Sequence, residues 1–485
     1  MSVQIYPRPL DSAFLLVVFW FASVLFPSTA IAAPAITLSK KIGPPTSQIL
    51  VSGGGFSPNA RVDIYFDTKD EASVVTDQQG EFHNAAISAP REAKPGKHWI
   101  TALERDNGKG AQDPFVVNTN WPQFLHDNAH TGDDLYENVL NAKNISGLSL
   151  KWTRPASTIG SSVAVVNGVL YASGCTVGAF CAFNATTGRS VWKYQAQGAI
   201  YSSPTVVNNV VYFGTDAGYV YALNASDGTL LWSYVASSLV RSSPTVSDGT
   251  VYFGSFDGNF FALDASTGTP IWTFPTGNAI ESTPAVVNGT VYFGDDGGAF
   301  YAMDAKTGNI LWTFIALSSV ASAPAVSNGV VYFGSYDRNL YALDVSRGSR
   351  LWSFKTGQMI DSSPVVADGV VYLAASDQNL YALNASTGDI VWTVLVGPTT
   401  VSPALANGVV YTRGQTSLNA LDAATGALLW TYANAASNGS SPAVANGMLF
   451  LESEFDVLAF GLSGAEPASA ANSRPPEPKT LHPDR

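Results

Sequence analysis

Residues 202–234 read SSPTVVNNVVYFGTDAGYVYALNASDGTLLWSY. Four runs rich in β-branched and aromatic residues, SSPTVV, VVYFG, YVYALNA and LLWSY, are separated by the turn sequences NN, TDAG and SDG. Such runs suit strands, and the Asn-Asn pair supplies the positive φ of a tight hairpin. The stretch predicts four short antiparallel strands, here lettered A to D.

The unit recurs along the chain. Trp152, Trp192, Trp232, Trp272, Trp312, Trp352, Trp392 and Trp430 lie at intervals of 40, with 38 for the last. A period near 40 means a propeller or a solenoid, and four strands per unit select the propeller. Strand A starts at Ser161, Ser202, Ser242, Ser282, Ser322, Ser362, Val401 and Ser440, which counts eight blades. Pro204, Pro244, Pro284, Pro324, Pro364, Pro403 and Pro442 fall in strand A. Proline cannot donate to a ladder, so strand A is read as the innermost edge of each blade. Strand C leads into the pattern A-x-[DN]-x-x-x-G-x-x-x-W, first at Ala182–Trp192 and last at Ala420–Trp430. The Asp or Asn caps the C–D turn and the Gly gives it its geometry. The Ala is expected to seat a neighbouring indole, so that each Trp docks one blade on the next. The last unit stops after strand C, whereas LSLKW at 148–152 is a strand D with no blade before it. The N-terminal strand is therefore expected to complete the final blade and close the ring.

These docking motifs resemble the tryptophan-docking repeats of quinoprotein-like, or PQQ-like, eight-bladed propellers. The lead-in W121PQFLHDNAHTGDDLYENVLNAKNISGLSLKW152 is similar to the segment before their first blade. The resemblance covers about 121–464. It implies an all-β, eight-bladed β-propeller with four-stranded antiparallel blades, and two classes of function. Some relatives are dehydrogenases dependent on PQQ and calcium. Others are non-catalytic scaffolds, such as the propeller subunit of the outer-membrane β-barrel assembly machine. The dehydrogenases carry an adjacent Cys-Cys pair over the cofactor, calcium-binding carboxylates and long loops around the substrate. This chain has two cysteines, Cys175 and Cys181, which are not adjacent, and its near-constant intervals leave no room for pocket-building insertions.

The flanks complete the domain plan. Residues 1–32 read as a signal peptide, with the apolar run from Ala13 to Phe26 and the small-residue pattern Ala30-Ile31-Ala32. The run is too short to span a bilayer. Residues 35–118 alternate apolar and polar positions in about seven short runs, which predicts a small β-sandwich that resembles bacterial immunoglobulin-like modules. Residues 119–147 are the lead-in, 148–464 the propeller, and 465–485 a Pro-rich tail read as disordered. The chain is thus read as exported, periplasmic or extracellular, with no transmembrane segment in the mature form. There Cys175 and Cys181, which straddle the B–C turn of blade 1, are expected to form a disulfide, the alternative being two packed free thiols.

Composition narrows the function. Of 485 residues 46% are apolar and 13% charged, which excludes a disordered chain. The net charge of −12 argues against a nucleic-acid partner. Two cysteines cannot make a four-Cys zinc site. His126 and His130, in H-D-N-A-H, have the spacing of a metal pair but stand in a Gly- and Asp-rich loop, unlike the zinc-protease motif. No metal site and no catalytic residue is assigned.

One set of positions varies while the repeat around it does not. Gly160, Tyr201, Arg241, Glu281, Ala321, Asp361, Thr400 and Gly439 each precede strand A and are expected to ring the channel mouth. Tyr201, Arg241, Glu281, Asp361 and Thr400 form the candidate ligand mouth. Asp216, Asp257, Asp295, Asp296, Asp337 and Asp377, in the B–C loops, make that face acidic, with Arg241 and Arg338 as counter-charges. The plain reading is a solvated rim whose Asp residues make turns; if a small ligand binds there, a divalent cation or cationic group suits it best. The function expected is a non-catalytic scaffold binding a protein or an extracellular polymer, with no cofactor. The alternative is a PQQ- and calcium-dependent dehydrogenase.

Overall fold

The structure, a computed structural model, describes residues 33–156, 160–398, 400–433, 440–453 and 455–463. The expected signal peptide and the C-terminal tail lie outside the described residues, as does Gly439.

Seven four-stranded antiparallel sheets and one sheet of five strands, in which Asp133–Asp134 adds a parallel strand beside Ala404–Ala406, follow one another along the described residues of 148–462. In blade 2 the strands are Thr205–Val207, Val210–Gly214, Tyr219–Asn224 and Leu230–Val235, hydrogen-bonded in that order. Asn208 and Asn209 take φ of 50° and 64° in the A–B turn, the geometry of a type I′ hairpin. Strand A is shorter than its sequence run. The ladder starts at Thr205, and Pro204 sits just before it, where its missing N–H costs nothing.

The ring closes through the N-terminal strand. Ala443–Ala445, Met448–Glu452 and Asp456–Leu462 are completed by Leu148–Pro155, in register from Leu148↔Leu462 to Pro155↔Asp456.

Each docking indole crosses to the following blade. Trp192 Nε1 donates to Ala225 O at 2.9 Å, and the pattern repeats from Trp152 (to Ala185 O, 2.9 Å) to Trp430 (to Leu148 O, 3.1 Å), the bond that joins blade 7 to blade 8. The seat of the indole differs from the sequence reading. Ala182 pairs with Trp192 of its own blade, and the surface beneath a neighbouring indole is the motif's glycine. A Cβ on Gly228 would stand 2.6 Å from Trp192 Cε3, and Gly228 also needs its φ of +73° for the turn. One residue therefore meets two demands that no larger side chain can meet together. A second staple lies beside the indole. The strand B tyrosines cross the same gap, as in Tyr171 OH to Ala225 O at 3.2 Å. Burial is also uneven: Trp152, Trp192 and Trp232 are 8–9% exposed, while Trp272, Trp312, Trp352, Trp392 and Trp430 are only half-buried.

Residues 119–134 do more than lead in. They run along the inner edges of the blades, and blade after blade receives a main-chain or amide bond. Trp121 bridges Val165. Pro122 O accepts from Val206 N, Asn128 O from Val286 N, Ala129 O from Val326 N, Thr131 O from Val366 N and Gly132 O from Leu405 N, all within 2.8–3.0 Å. Asn128 Nδ2 donates to Val246 O of blade 3, and Thr119 exchanges two bonds with Asn446 of blade 8. Strand A is an edge, and this strap satisfies donors that the edge would leave open.

The N-terminal domain has two sheets, one of Ala35–Leu38, Gln48–Gly54 and Phe82–Ser88, the other of Ile42–Gly43, Gly110–Val117, Gly96–Glu104, Arg61–Phe66 and Lys69–Val75. They enclose Ile49, Val51, Val62, Ile64, Ile100 and Phe115. Alternation of buried and exposed positions along Gln48–Gly54 is what drives that stacking. The domain meets the propeller at its A–B turns. Asn118 Nδ2 donates to Asn167 Oδ1 at 2.9 Å, and Thr119 N to Asn446 Oδ1 at 2.8 Å. No helix of the described residues is long and apolar enough to cross a membrane.

In blade 1, Cys175 and Cys181 stand with their Cα atoms 6.3 Å apart and their sulphurs in bonding contact. We expect protein taken from its native compartment and denatured without reductant to resist alkylation at both positions. Two freely modified thiols by mass spectrometry would refute the pairing.

Candidate functional site

The D–A and B–C loops share the face opposite the N-terminal domain, and at its centre is a cup of about 330 Å³. Gly160, Tyr201, Arg241, Glu281, Ala321, Asp361 and Thr400 all line it. The structure thus brings together every described member of the expected mouth.

Below this rim is a belt of hydroxyls. Ser441 N donates to Ser162 Oγ, Ser162 N to Ser203 Oγ, Ser203 N to Ser243 Oγ and Ser243 N to Thr283 Oγ1, each bond joining one blade to the next. After a break at Ala323, which has no hydroxyl to offer, Ala323 N donates to Ser363 Oγ and Ser363 N to Ser402 Oγ. The second Ser of each SSP repeat therefore builds the wall. Phe124, from the strap, lines the cup as well, so the channel is crossed behind it.

The charges on the rim are sorted by partner. Arg241 is held by both oxygens of Asp216, at 3.0 Å each, and stands 4.7 Å from the Tyr201 ring centroid and 5.4 Å from that of Phe256. Glu281 lies 4.0 Å from Arg241, a looser contact. Arg241 is thus committed to Asp216 rather than to Glu281. Asp361 accepts from Tyr336 OH at 2.9 Å, and Asp296 from Ser319 Oγ at 2.9 Å. Burial pushes Glu281 above the ordinary carboxylate range, and the neighbouring Asp296 and Asp361 push it further. Asp361 is raised by burial against its bond from Tyr336, with Asp296 adding to it. Burial also raises Asp296, with Asp295 adding to it, so this side of the rim favours a positive charge.

The other loop aspartates have structural partners. Asp257, Asp337 and Asp377 each accept from the N–H two residues on, and with their second oxygen from the backbone of the preceding D–A loop, at Ser237, Leu317 and Gly357. Asp295 accepts from Ala299 N and Tyr301 OH. These four make turns. Arg338 is exposed and does not line the cup.

His126 and His130 lie in the strap with separate partners. His126 stands edge-on to Trp121 with Nε2 3.9 Å from Asp134 Oδ1, while His130 Nδ1 is 3.0 Å from Pro324 O. Burial lowers His130 to about 4 and raises Asp133 to about 7 and Asp134 to about 6. Among the described residues, the cluster with metal-ligand spacing is Asp77, Glu81 and His83, which is exposed. Asp77 Oδ1 already accepts two backbone N–H groups there, from Gln79 and Glu81.

Known proteins share this fold. A family described as outer membrane protein assembly factor BamB matches residues 127–272, 236–322, 316–404 and 396–463. The crystal structure of BamB from Moraxella catarrhalis is 20% identical, with a TM-score of 0.57 over 66% of this chain and 99% of that one. Quinohemoprotein alcohol dehydrogenase from Comamonas testosteroni is 15% identical, with a TM-score of 0.60 over 71% of this chain and 81% of that one. The computationally designed protein Ika8 is 17% identical, with a TM-score of 0.57 over 66% of this chain and 99% of its own. An assembly factor, an enzyme and a design share the ring, so these likenesses establish the fold alone. No curated protein sequence matches the chain.

Proposed function

This chain belongs to the PQQ-repeat β-propeller family described as outer membrane protein assembly factor BamB, and from that premise we propose that it is an exported, non-catalytic scaffold that binds a protein partner through its open mouth face. The observation that carries the reading is the placement of the other segments. The N-terminal domain docks at the A–B turns and the strap crosses the channel, so no described segment covers the mouth. A cofactor site has to be enclosed to orient and desolvate its substrate. A rim left open suits a macromolecular surface.

The cup also fits a quinone cofactor poorly. PQQ is a planar tricarboxylate and needs cationic partners. The arginine of the rim is taken by Asp216, and Glu281 and Asp361 would repel the ligand's carboxylates. A bare cation meets less repulsion there than a quinone, because Glu281 and Asp361 are oxygen donors lining the cup, and a third ligand at metal spacing is not among the described residues. The same chemistry would receive a lysine or arginine side chain of a partner.

Reconstitution with PQQ and Ca²⁺ tests the choice. We expect no bound quinone absorbance after gel filtration, and a stoichiometric quinone band would overturn the scaffold reading. Calcium titration by calorimetry tests the rim. The wild type is expected to bind, and Glu281→Gln with Asp361→Asn to lose the heat. Affinity should fall as pH is lowered, starting above the ordinary carboxylate range, because protons compete at carboxyls whose pKa is raised. Identical heats in both proteins would eliminate the cation site.

A further inference from the structure

A second cavity, of about 770 Å³, lies between the N-terminal domain and blades 1 and 8, far from the mouth face. Its walls are mostly apolar. Ile42 and Val116 come from the N-terminal domain, and Val139, Met448, Phe450 and Leu462 from the lead-in and blade 8. Ile42 is 40% exposed and Val116 38%, so both leave apolar surface open toward the cleft. The cleft is held at fixed width by the bonds of Asn118 to Asn167 and of Thr119 to Asn446, and by Lys94 Nζ, which donates to Asn138 O. Its volume and its place between domains are those of ligand sites.

Charge identifies the occupant. The chain has 37 acidic and 25 basic residues, yet among the described residues no Asp or Glu lines the cleft, whereas Lys94 and Lys151 do. Lys151 has no ion-pair partner among the described residues. Its aliphatic stem lies against Gly461, where a Cβ would meet Lys151 Cε at 3.1 Å. That glycine lets the stem lie along the wall with its ammonium free to reach an anion. Among the described residues the lining has no Arg, whose planar fork suits phosphate, and two point charges suit a compact carboxylate.

We propose that this interdomain cleft binds a single-chain acyl carboxylate, its chain along the apolar walls and its carboxylate at Lys94 and Lys151. The site is independent of the mouth and of whatever binds there.

Laurate, titrated below its micellar concentration into the full mature chain, is the probe. We expect one saturable site by calorimetry, and binding at least tenfold weaker in Lys151→Glu. Neutral dodecanol should also bind at least tenfold more weakly than laurate. Val116→Trp, which fills the cleft from one wall, should abolish binding at an unchanged melting temperature, and Met448→Trp repeats the test from the other wall. The proposal is overturned if the wild type shows no saturable binding, or if laurate binds both cleft-filled variants as it binds the wild type. Many weak sites insensitive to all three substitutions would also overturn it. Equal affinity of wild type and Lys151→Glu would remove the carboxylate assignment.

Discussion

A chain beginning at Thr153 is expected to lose the cooperative melting transition that a chain beginning at Asn118 keeps. The first lacks the strap, Leu148 and Trp152. The second lacks only the N-terminal domain. Leu148 and Trp152 are 6% and 9% exposed, and they pack in one cluster with Phe450, Leu458 and Phe460 of blade 8. Burying a large apolar side chain stabilises by about 1.5–3 kcal/mol. Two such side chains and part of the last ladder come to about 5 kcal/mol or more, which is comparable to the whole stability of many domains. The strap adds to the loss, because the inner N–H groups of Val206, Val286, Val326, Val366 and Leu405 lose their acceptors. Calorimetric melting of the two chains checks this. Equal midpoints would mean that the ring does not depend on its closing strand.

The second large effect is expected at the docking indoles. Trp192→Ala should cost about 3–5 kcal/mol, the usual range for emptying a buried aromatic site. Trp192 is 8% exposed, covers Gly228, and packs within 6.1 Å of Phe180 and 6.0 Å of Tyr171, centroid to centroid. Trp192→Phe keeps most of the apolar contact and loses the bond to Ala225 O, so a share of about 1 kcal/mol is expected for the bond. Trp272→Ala should cost less, because Trp272 is half-buried. Denaturant unfolding of the three variants checks the order. A loss below about 1 kcal/mol for Trp192→Ala would mean that blades are held by other contacts.

The ring was legible because its signals are local and repeated. Turn glycines, strand aromatics and one Trp per unit leave a mark in composition at a fixed period. The rim was legible for the opposite reason, since Arg241, Glu281 and Asp361 interrupt a pattern that is otherwise kept. What the sequence could not show is pairing between blades. Arg241 meets Asp216 at a separation of 25 residues, set by the rotation from one blade to the next rather than by any motif. The strap was illegible because its contacts are mainly main-chain ones. Carbonyls of Pro122, Asn128, Ala129, Thr131 and Gly132 carry it, and a carbonyl has no signature in a sequence. The glycine seat was misassigned to Ala because both are small; only the crossing of the indole to the following blade separates them.

The seam has a consequence in time. Ser149 bonds to Gly461, 312 residues later, and Thr119 to Asn446, 327 residues later. The segments that fasten the ring are made first and used last. Loop-closure entropy grows only with the logarithm of length, so the wait and not the entropic cost of closure is what separates this ring from a smaller one. Until residues 456–462 are available, blade 8 has no outer strand to receive Leu148–Pro155, and the growing stack presents two open ends. Folding dominated by such distant pairings is slow and leaves strands exposed to aggregation. The strap removes one difficulty of this order. Because it precedes every blade, the sheets assemble around it, and no segment has to be threaded through a finished ring. A chaperone or protease that acts on this chain therefore has its interval between the appearance of Leu148 and that of Leu462.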